Sequence, residues 1–168
     1  MKKTRLFGIV GWKNSGKTTL VERLISDITK RGYKVSTIKH AHHTFDIDHQ
    51  GTDSFRHRAA GAKEVLLTSR NRWAVMHELR GEPEPEFESL LNNLEEVDLV
   101  LIEGFKNEKH HKLEVIRSEN KKTPIFRKDK SIIALATNTT LSNTSLPIFN
   151  SNEVSTIADF ILKKAATK

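Results

Sequence analysis

The sequence predicts an α/β fold, a mostly parallel twisted sheet flanked by helices, with an antiparallel hairpin at the edge of the sheet. Three observations predict it. Residues 5–10 (Arg-Leu-Phe-Gly-Ile-Val) read as a short buried strand, after which Leu20, Val21, Leu24, Ile25 and Ile28 recur at helical spacing. Between them stands Gly11-Trp12-Lys13-Asn14-Ser15-Gly16-Lys17-Thr18, a complete G-x-x-x-x-G-K-[ST] pattern in the strand, loop, helix order it requires. Residues 98–104 (Asp-Leu-Val-Leu-Ile-Glu-Gly) are nearly continuous in apolar character, as a central parallel strand buried on both faces should be.

The remaining elements follow in order. Gly32 ends the first helix near residue 31, and residues 33–39 read as the second strand. Residues 39–51 are too polar and irregular for a packed element, and form a long loop at the carboxyl end of that strand, where functional loops of α/β proteins gather. Thr52-Asp53-Ser54 caps a short helix through Ala60. Residues 64–68 and 73–78, joined by Ser69-Arg70-Asn71-Arg72, form the hairpin, expected at the sheet edge where a second subunit could pair with it. Beyond the break at Gly81-Glu82-Pro83-Glu84-Pro85, Phe87, Leu90, Leu91 and Leu94 mark an amphipathic helix. Residues 113–117 and 131–136 are two further strands, and the basic stretch 118–130 between them is expected to be mobile. Residues 146–150 add a short strand, and Val154, Ile157, Ala158, Ile161 and Leu162 define a closing helix capped by Ser151 or Asn152.

At 168 residues and 36% hydrophobic content the chain is read as one domain over residues 1–168, with the hairpin an insertion at about 64–78. The net charge of +7, from 28 basic and 21 acidic residues, suits an anionic partner. Lysine and arginine are not interleaved with aromatics, so a nucleic-acid surface is not indicated. Part of the excess, at Lys163, Lys164 and Lys168, complements the dipole of the last helix without any partner. The absence of cysteine removes disulfides and thiolate metal sites. No run approaches a membrane span, and Met-Lys-Lys-Thr-Arg carries no apolar signal segment, so a cytoplasmic protein is expected.

The loop pattern carries chemistry. Glycines let its backbone curl so that successive N–H groups point inward, and the following helix aims its positive end at the same place, which is a cradle for a polyphosphate. Gly11, Lys13, Asn14, Ser15, Gly16, Lys17, Thr18 and Thr19 are the nucleotide-binding candidates, with Lys17 reaching the terminal phosphates and the Thr18 hydroxyl a ligand for Mg²⁺. Of the two acids bounding the central strand, Glu103 lies at the carboxyl end and joins Thr18 as a magnesium candidate, with Asp48 a weaker third. Asp98 closes the strand's entrance. His40, His42, His43 and His49 crowd the loop after the second strand, and Zn²⁺ or Ni²⁺ is one reading of them. With no cysteine and no i, i+4 histidine pair, the reading preferred is a polar anion-binding wall made with Arg56, His57 and Arg58. His110 and His111 extend that wall or stand solvated. The segment Thr137-Asn138-Thr139-Thr140 lacks the acid that commonly reads guanine, and no catalytic base or arginine finger can be picked out.

Taken together, residues 11–18, Lys39-His40-Ala41-His42-His43, residues 51–62 with their Asp-Ser-Phe-Arg-His-Arg core, Asp98-Leu99-Val100-Leu101-Ile102-Glu103-Gly104-Phe105-Lys106 and Lys112-Leu113-Glu114-Val115-Ile116-Arg117 closely resemble the molybdopterin-guanine dinucleotide biosynthesis protein B (MobB) family. The resemblance covers the chain to about Ala136. It implies a GTP-binding P-loop protein of the class that includes nickel-inserting GTPases, a homodimer with weak GTPase activity that yields GDP and phosphate. It further implies GTP and Mg²⁺ as cofactors, and a role assisting the molybdenum cofactor guanylyltransferase, which attaches GMP to molybdopterin to form molybdopterin guanine dinucleotide. Carried over to this sequence, Lys17 and Thr18 serve phosphate and Mg²⁺, Glu103 is the strand-end acid, and His40, His42, His43, Arg56, His57 and Arg58 line a groove for a pterin phosphate. The preference for GTP rests on the resemblance alone. Two other readings compete: a small-molecule P-loop kinase in which Arg56, Arg58, Arg70 and Arg72 close over a phosphate, and a histidine-rich metallochaperone GTPase for nickel or zinc.

Overall fold

The apolar stretch before the glycine loop forms the middle of a seven-stranded sheet. The computed structural model describes residues 4–41 and 45–167. Along the chain the elements are β1 (Arg5–Val10), α1 (Lys17–Lys30), β2 (Val35–Lys39), α2 (Asp53–Ala59), β3 (Glu64–Thr68), β4 (Trp73–His77), α3 (Phe87–Asn92), β5 (Leu99–Glu103), β6 (Lys112–Ile116), β7 (Ile132–Thr137), β8 (Ile148–Asn150), α4 (Val154–Lys164) and β9 (Ala166–Thr167). Two compact units emerge, one made of Met1–His40 with Leu94–Lys168, the other of Ala41–Asn93.

In the first unit the strand order is β2-β5-β1-β6-β7-β8, every neighbouring pair parallel. β5 is buried along its whole length, which explains its unbroken apolar run. β6 begins its pairing only at Gly8, opposite Lys112, and β9 fills the space below by pairing antiparallel with Arg5 and Leu6. Leu20, Val21, Leu24 and Ile28 of α1 join Ile157, Ala158 and Ile161 of α4 over Phe7, Ile9, Leu99 and Leu101. A second cluster lies apart from these helices. Ile125, Phe126, Leu141 and Leu146 pack there on Val10, Ile132 and Leu135. Asp98 closes the strand's entrance as read, its carboxylate accepting from the Lys34 N–H at 2.8 Å.

The stretch 118–130 is anchored instead of mobile. The buried Glu114 carboxylate accepts the backbone N–H groups of Ile125 and Phe126, each at 2.8 Å, and a 3₁₀ turn (Ile125–Arg127) follows. Burial pushes the Glu114 carboxyl above its ordinary pKa, while those two N–H groups pull it down. The closing helix is capped differently from expectation. Its N-cap is Glu153, whose carboxylate accepts the Asn150 N–H at 2.9 Å, while neither Ser151 nor Asn152 caps it through a side chain. Among the described residues, no helix is long and apolar enough to cross a membrane.

In the second unit, Thr52 caps α2 as read, its hydroxyl accepting the Phe55 N–H at 3.3 Å. The hairpin does not join the edge of the large sheet: β3 and β4 pair only with each other, as a separate two-stranded ribbon. Pairing across a four-residue turn closes a short loop and needs no distant strand, which is the cheapest way to satisfy these backbones. Val65 and Met76 face each other in the ribbon and are buried.

Lys112, at the start of β6, is fully buried, and its Nζ donates to the Lys106 carbonyl at 2.6 Å and to Asp129 at 2.8 Å. That one ammonium ties together the two crossovers flanking β6. Burial alone would raise the Asp129 pKa, but the bonds from Lys112 and Ser131 hold it below the carboxylate range. Asp129→Ala is expected to lower stability by about 3 kcal/mol, because it strands a buried charge. The double variant Lys112→Met with Asp129→Leu should lose less, and urea unfolding of both variants checks the order.

His110 lies where a side chain on Gly8 would stand, its Nε2 2.5 Å from the position of such a Cβ. Burial first, and then the Lys112 charge, depress its pKa from 6.5 to about 4. The folded-state value lies below the unfolded one, so this group's contribution is complete above pH 6.5 and is lost as the pH falls toward 4. Replacing His110 by Gln should flatten the loss of stability across that window. Urea midpoints of protein and variant from pH 7 to pH 4 measure it.

Candidate functional site

The chain leaves β1 through a loop held in an unusual backbone shape. Asn14 and Gly16 have positive φ, at 64° and 91°. Gly11 has no room for a side chain, since a Cβ there would come within 2.5 Å of the Val115 carbonyl oxygen and 2.6 Å of Ser15 Oγ. Ser15 N–H donates back to the Trp12 carbonyl at 3.2 Å, closing the curl. Gly16 caps α1 and offers no side-chain acceptor. Among the described residues, no protein acceptor meets the backbone N–H groups of Asn14, Gly16, Lys17, Thr18 or Thr19. Five unengaged donors and the positive end of a 14-residue helix therefore lie along one short loop, a combination that suits a polyphosphate.

Lys17 folds over this loop and donates to the Trp12 carbonyl at 2.8 Å. Burial lowers the pKa of its ammonium, Glu103 acts in the opposite sense, and the charges of Lys106 and Lys39 add to the depression. Thr18 Oγ1 donates to Glu103 Oε1 at 2.9 Å, so the helix hydroxyl and the strand-end carboxylate form one hard-oxygen pair beside the cradle. Parallel pairing dictates this convergence: Ile9 of β1 stands opposite Glu103, and on the other side of β5, Lys39 stands opposite it too. Lys39 Nζ is 3.7 Å from Glu103 Oε1. His40 belongs to the same corner, its N–H bonded to the Glu103 carbonyl at 2.9 Å and its ring 4.8 Å from that of Phe105.

Other expected site residues are engaged differently. Asp48 is held within its own unit, where it accepts from Thr52 at 2.9 Å, Ser54 at 2.8 Å and the His49 N–H at 3.1 Å. Burial works to raise its pKa, and these bonds prevail and lower it. Arg58, expected to face an anion, instead binds Asp46 at 2.9 Å, Glu78 at 2.9 Å and Asp48 at 3.3 Å. Its pKa is raised chiefly by the bond to Glu78, then by that to Asp46. Arg56 is exposed, 3.7 Å from Asp53, and His57 is exposed. His42 and His43 lie outside the described residues. Both later histidines are engaged within the first unit: His110 is set beneath Gly8, and His111 Nδ1 meets the Lys164 carbonyl at 2.8 Å. Among the described residues, no group of three histidine or acidic side chains is placed to hold a metal ion.

The structure also brings in residues the sequence reading passed over. The Trp12 indole N–H donates to the Thr123 carbonyl at 2.9 Å, and the ammonium groups of Lys106 and Lys122 lie 4.6 and 4.7 Å from its ring centre. Beside it opens a groove of about 530 Å³ bounded by Trp12, Lys106, Thr123, Ile125, Lys128 and Lys130. Lys39 was legible in principle as the last residue of a strand beside the one ending at Glu103. Trp12 and Lys106 were not, because their roles depend on the path of a crossover.

A parallel sheet whose first strand passes through an amide-lined loop into a helix, with the strand-end acid bonded to that helix's threonine, defines a P-loop nucleotide-binding fold. The solved structure of Bacillus subtilis MobB superposes with a TM-score of 0.76 at 24% identity, covering 98% of this chain and 99% of that one. Residues 6–138 match the model of the family described as MobB, molybdopterin guanine dinucleotide synthesis protein B. The chain is 40% identical over 159 residues to the molybdopterin-guanine dinucleotide biosynthesis adapter protein of Haemophilus influenzae, covering 93% of this chain and 86% of that protein. It is 35% identical to the Escherichia coli K12 adapter protein of the same description, covering 94% and 91%. The chain belongs to the MobB family.

Proposed function

We propose that this protein is a GTP-binding adapter in molybdenum cofactor maturation, a cytoplasmic weak GTPase that assists the guanylyltransferase attaching GMP to molybdopterin. The observation that carries the nucleotide reading is the set of unengaged backbone donors at Asn14 and residues 16–19 around Lys17. The names of the relatives, biosynthesis adapters for molybdopterin-guanine dinucleotide, support the pathway. The kinase and metallochaperone readings are not favoured. Of the four arginines a kinase would close over phosphate, Arg58 is held by three carboxylates, and the described histidines do not cluster as ligands.

In this reading the N–H groups bind the phosphate oxygens and Lys17 leaves the Trp12 carbonyl for the terminal phosphates. Thr18 and Glu103 would hold Mg²⁺, a pair of oxygen ligands that suits a cation keeping most of its waters. When bound, that ion neutralises charge on the phosphate oxygens. The histidine and arginine segments are one place for the second ligand, molybdopterin or its guanine dinucleotide. The basic groove beside Trp12 offers it an alternative place, with an aromatic wall and three lysines for a phosphate-bearing heterocycle.

Lys17→Ala is expected to weaken GTP binding by about 100-fold or more, equivalent to about 2.7 kcal/mol, with little change in melting temperature. Calorimetric titration and thermal unfolding check both halves. With Mg²⁺ present, GTP at 100 times its Kd should stabilise the fold by about 2.7 kcal/mol. Equal or greater protection by ATP would overturn the base assignment.

The protein is also proposed to be a homodimer joined through the hairpin. Leu66 and Val75 are paired across the ribbon, with Trp73 on the same face, and they are 63%, 44% and 63% exposed. Sedimentation of the protein should give a dimer, and Leu66→Glu with Trp73→Glu a monomer. A monomeric unaltered protein would end this reading.

A further inference from the structure

The motif Lys112-Leu-Glu-Val-Ile-Arg117 has two of its charged residues explained by packing. Lys112 joins the crossovers on either side of β6, and Glu114 anchors the start of the 3₁₀ turn. Arg117 has no such structural duty. It follows β6 directly, and β6 runs beside β1 with Val10 opposite Glu114, so the chain leaves this strand at the end where the phosphate loop begins. Its guanidinium lies against Gly16. A Cβ at that glycine would be 3.0 Å from Nη2, 3.2 Å from Nε and 3.3 Å from Cζ. Three atoms of one plane at nearly equal range mean that the group lies across the loop, beside the residue whose backbone opens α1.

The neighbouring chain holds it there. Asn120 N–H donates to the Arg117 carbonyl at 3.0 Å, closing a turn, and the Asn120 side chain donates to the Lys13 carbonyl at 3.2 Å. Farther on, the Trp12 indole is bonded to Thr123. The segment 117–123 is thus fastened to the phosphate loop at two points, and Arg117 is an exposed residue. Glu119 feels the Arg117 charge, but no carboxylate lies within ion-pair distance of it among the described residues. Arg58, by contrast, is surrounded by three acids.

We infer that Arg117 is a catalytic residue, a guanidinium supplied by the chain itself to the phosphates held in the 11–18 loop. The inference rests on the GTPase reading above. In hydrolysis a water oxygen forms a bond to the γ-phosphorus. The bond from that phosphorus to the oxygen bridging it to the β-phosphate breaks, and its electron pair remains on GDP. The proton lost by water leaves with inorganic phosphate. Arg117 transfers no proton. It bears on the terminal phosphate and the bridging oxygen, where negative charge redistributes, and its planar fork suits two phosphate oxygens as a lysine does not.

The test compares Arg117→Ala, Arg117→Lys and the unaltered protein in phosphate release, in affinity for GDP, and in trapping of GDP with tetrafluoroaluminate, which mimics the phosphoryl group in transfer. Arg117→Ala is expected to slow turnover at least about 10-fold, below the 10³–10⁵ that completing arginines contribute in fast GTPases. It should also lose the trapped complex while binding GDP within about 3-fold of the parent. Arg117→Lys should recover only part of the rate. Unchanged turnover in the alanine variant would overturn the proposal. So would a loss of GDP affinity matching the loss of rate, the mark of a residue that only shapes the loop. Failure of the unaltered protein to bind GTP at all would remove the nucleotide reading itself, a result visible before any variant is made.

Discussion

The close approach of β6 to the turn out of β1 sets the terms for the site. With the Val115 carbonyl oxygen only 2.5 Å from where a Cβ on Gly11 would sit, the loop has no freedom on that side and must curl toward α1. Among the described residues, the backbone N–H groups of Asn14 and residues 16–19 in this curl meet no protein acceptor. β5, on the other flank of β1, ends at Glu103, within 2.9 Å of Thr18. Acid from one neighbour and arginine from the other therefore reach the loop from opposite sides. Parallel pairing makes this arrangement available, because it brings the carboxyl ends of adjacent strands to one edge of the sheet.

How much of this was legible follows from which residues act locally. The loop pattern, α1, β5 and Glu103 were readable because motif spacing and apolar periodicity are properties of a few consecutive residues. β3 was read at its observed limits, and the β4 boundary moved by one residue. The hairpin's isolation was not readable, since alternation specifies a ribbon but does not say which strand, if any, lies beside it. The stretch 118–130 looked loose for a similar reason. Its order comes from an acid on β6 that binds backbone donors 11 and 12 residues later, an interaction no local pattern announces.

Arg58 shows the converse case. A basic cluster in a protein of positive net charge invites an anion, and Arg58 fits that pattern until its three carboxylate partners are known. Asp48, read as a weaker magnesium candidate, is with Asp46 a structural counter-charge that organises residues 46–58. Sequence proximity had associated these charges correctly, but assigned them to a ligand when they neutralise one another. Arg117 is the complementary case: an arginine with no acid in ion-pair range among the described residues, just past the end of a strand whose other charges are buried.

The chain's two tryptophans fall one in each compact unit. Trp12, in the phosphate loop, donates to the Thr123 carbonyl and is flanked by two ammonium groups, while Trp73 lies open on the ribbon. The molecule thus carries a pair of built-in fluorophores in contrasting surroundings. Events at the phosphate cradle will register in the emission of one, and burial of the hairpin's outer face in a blue shift of the other, with no label attached.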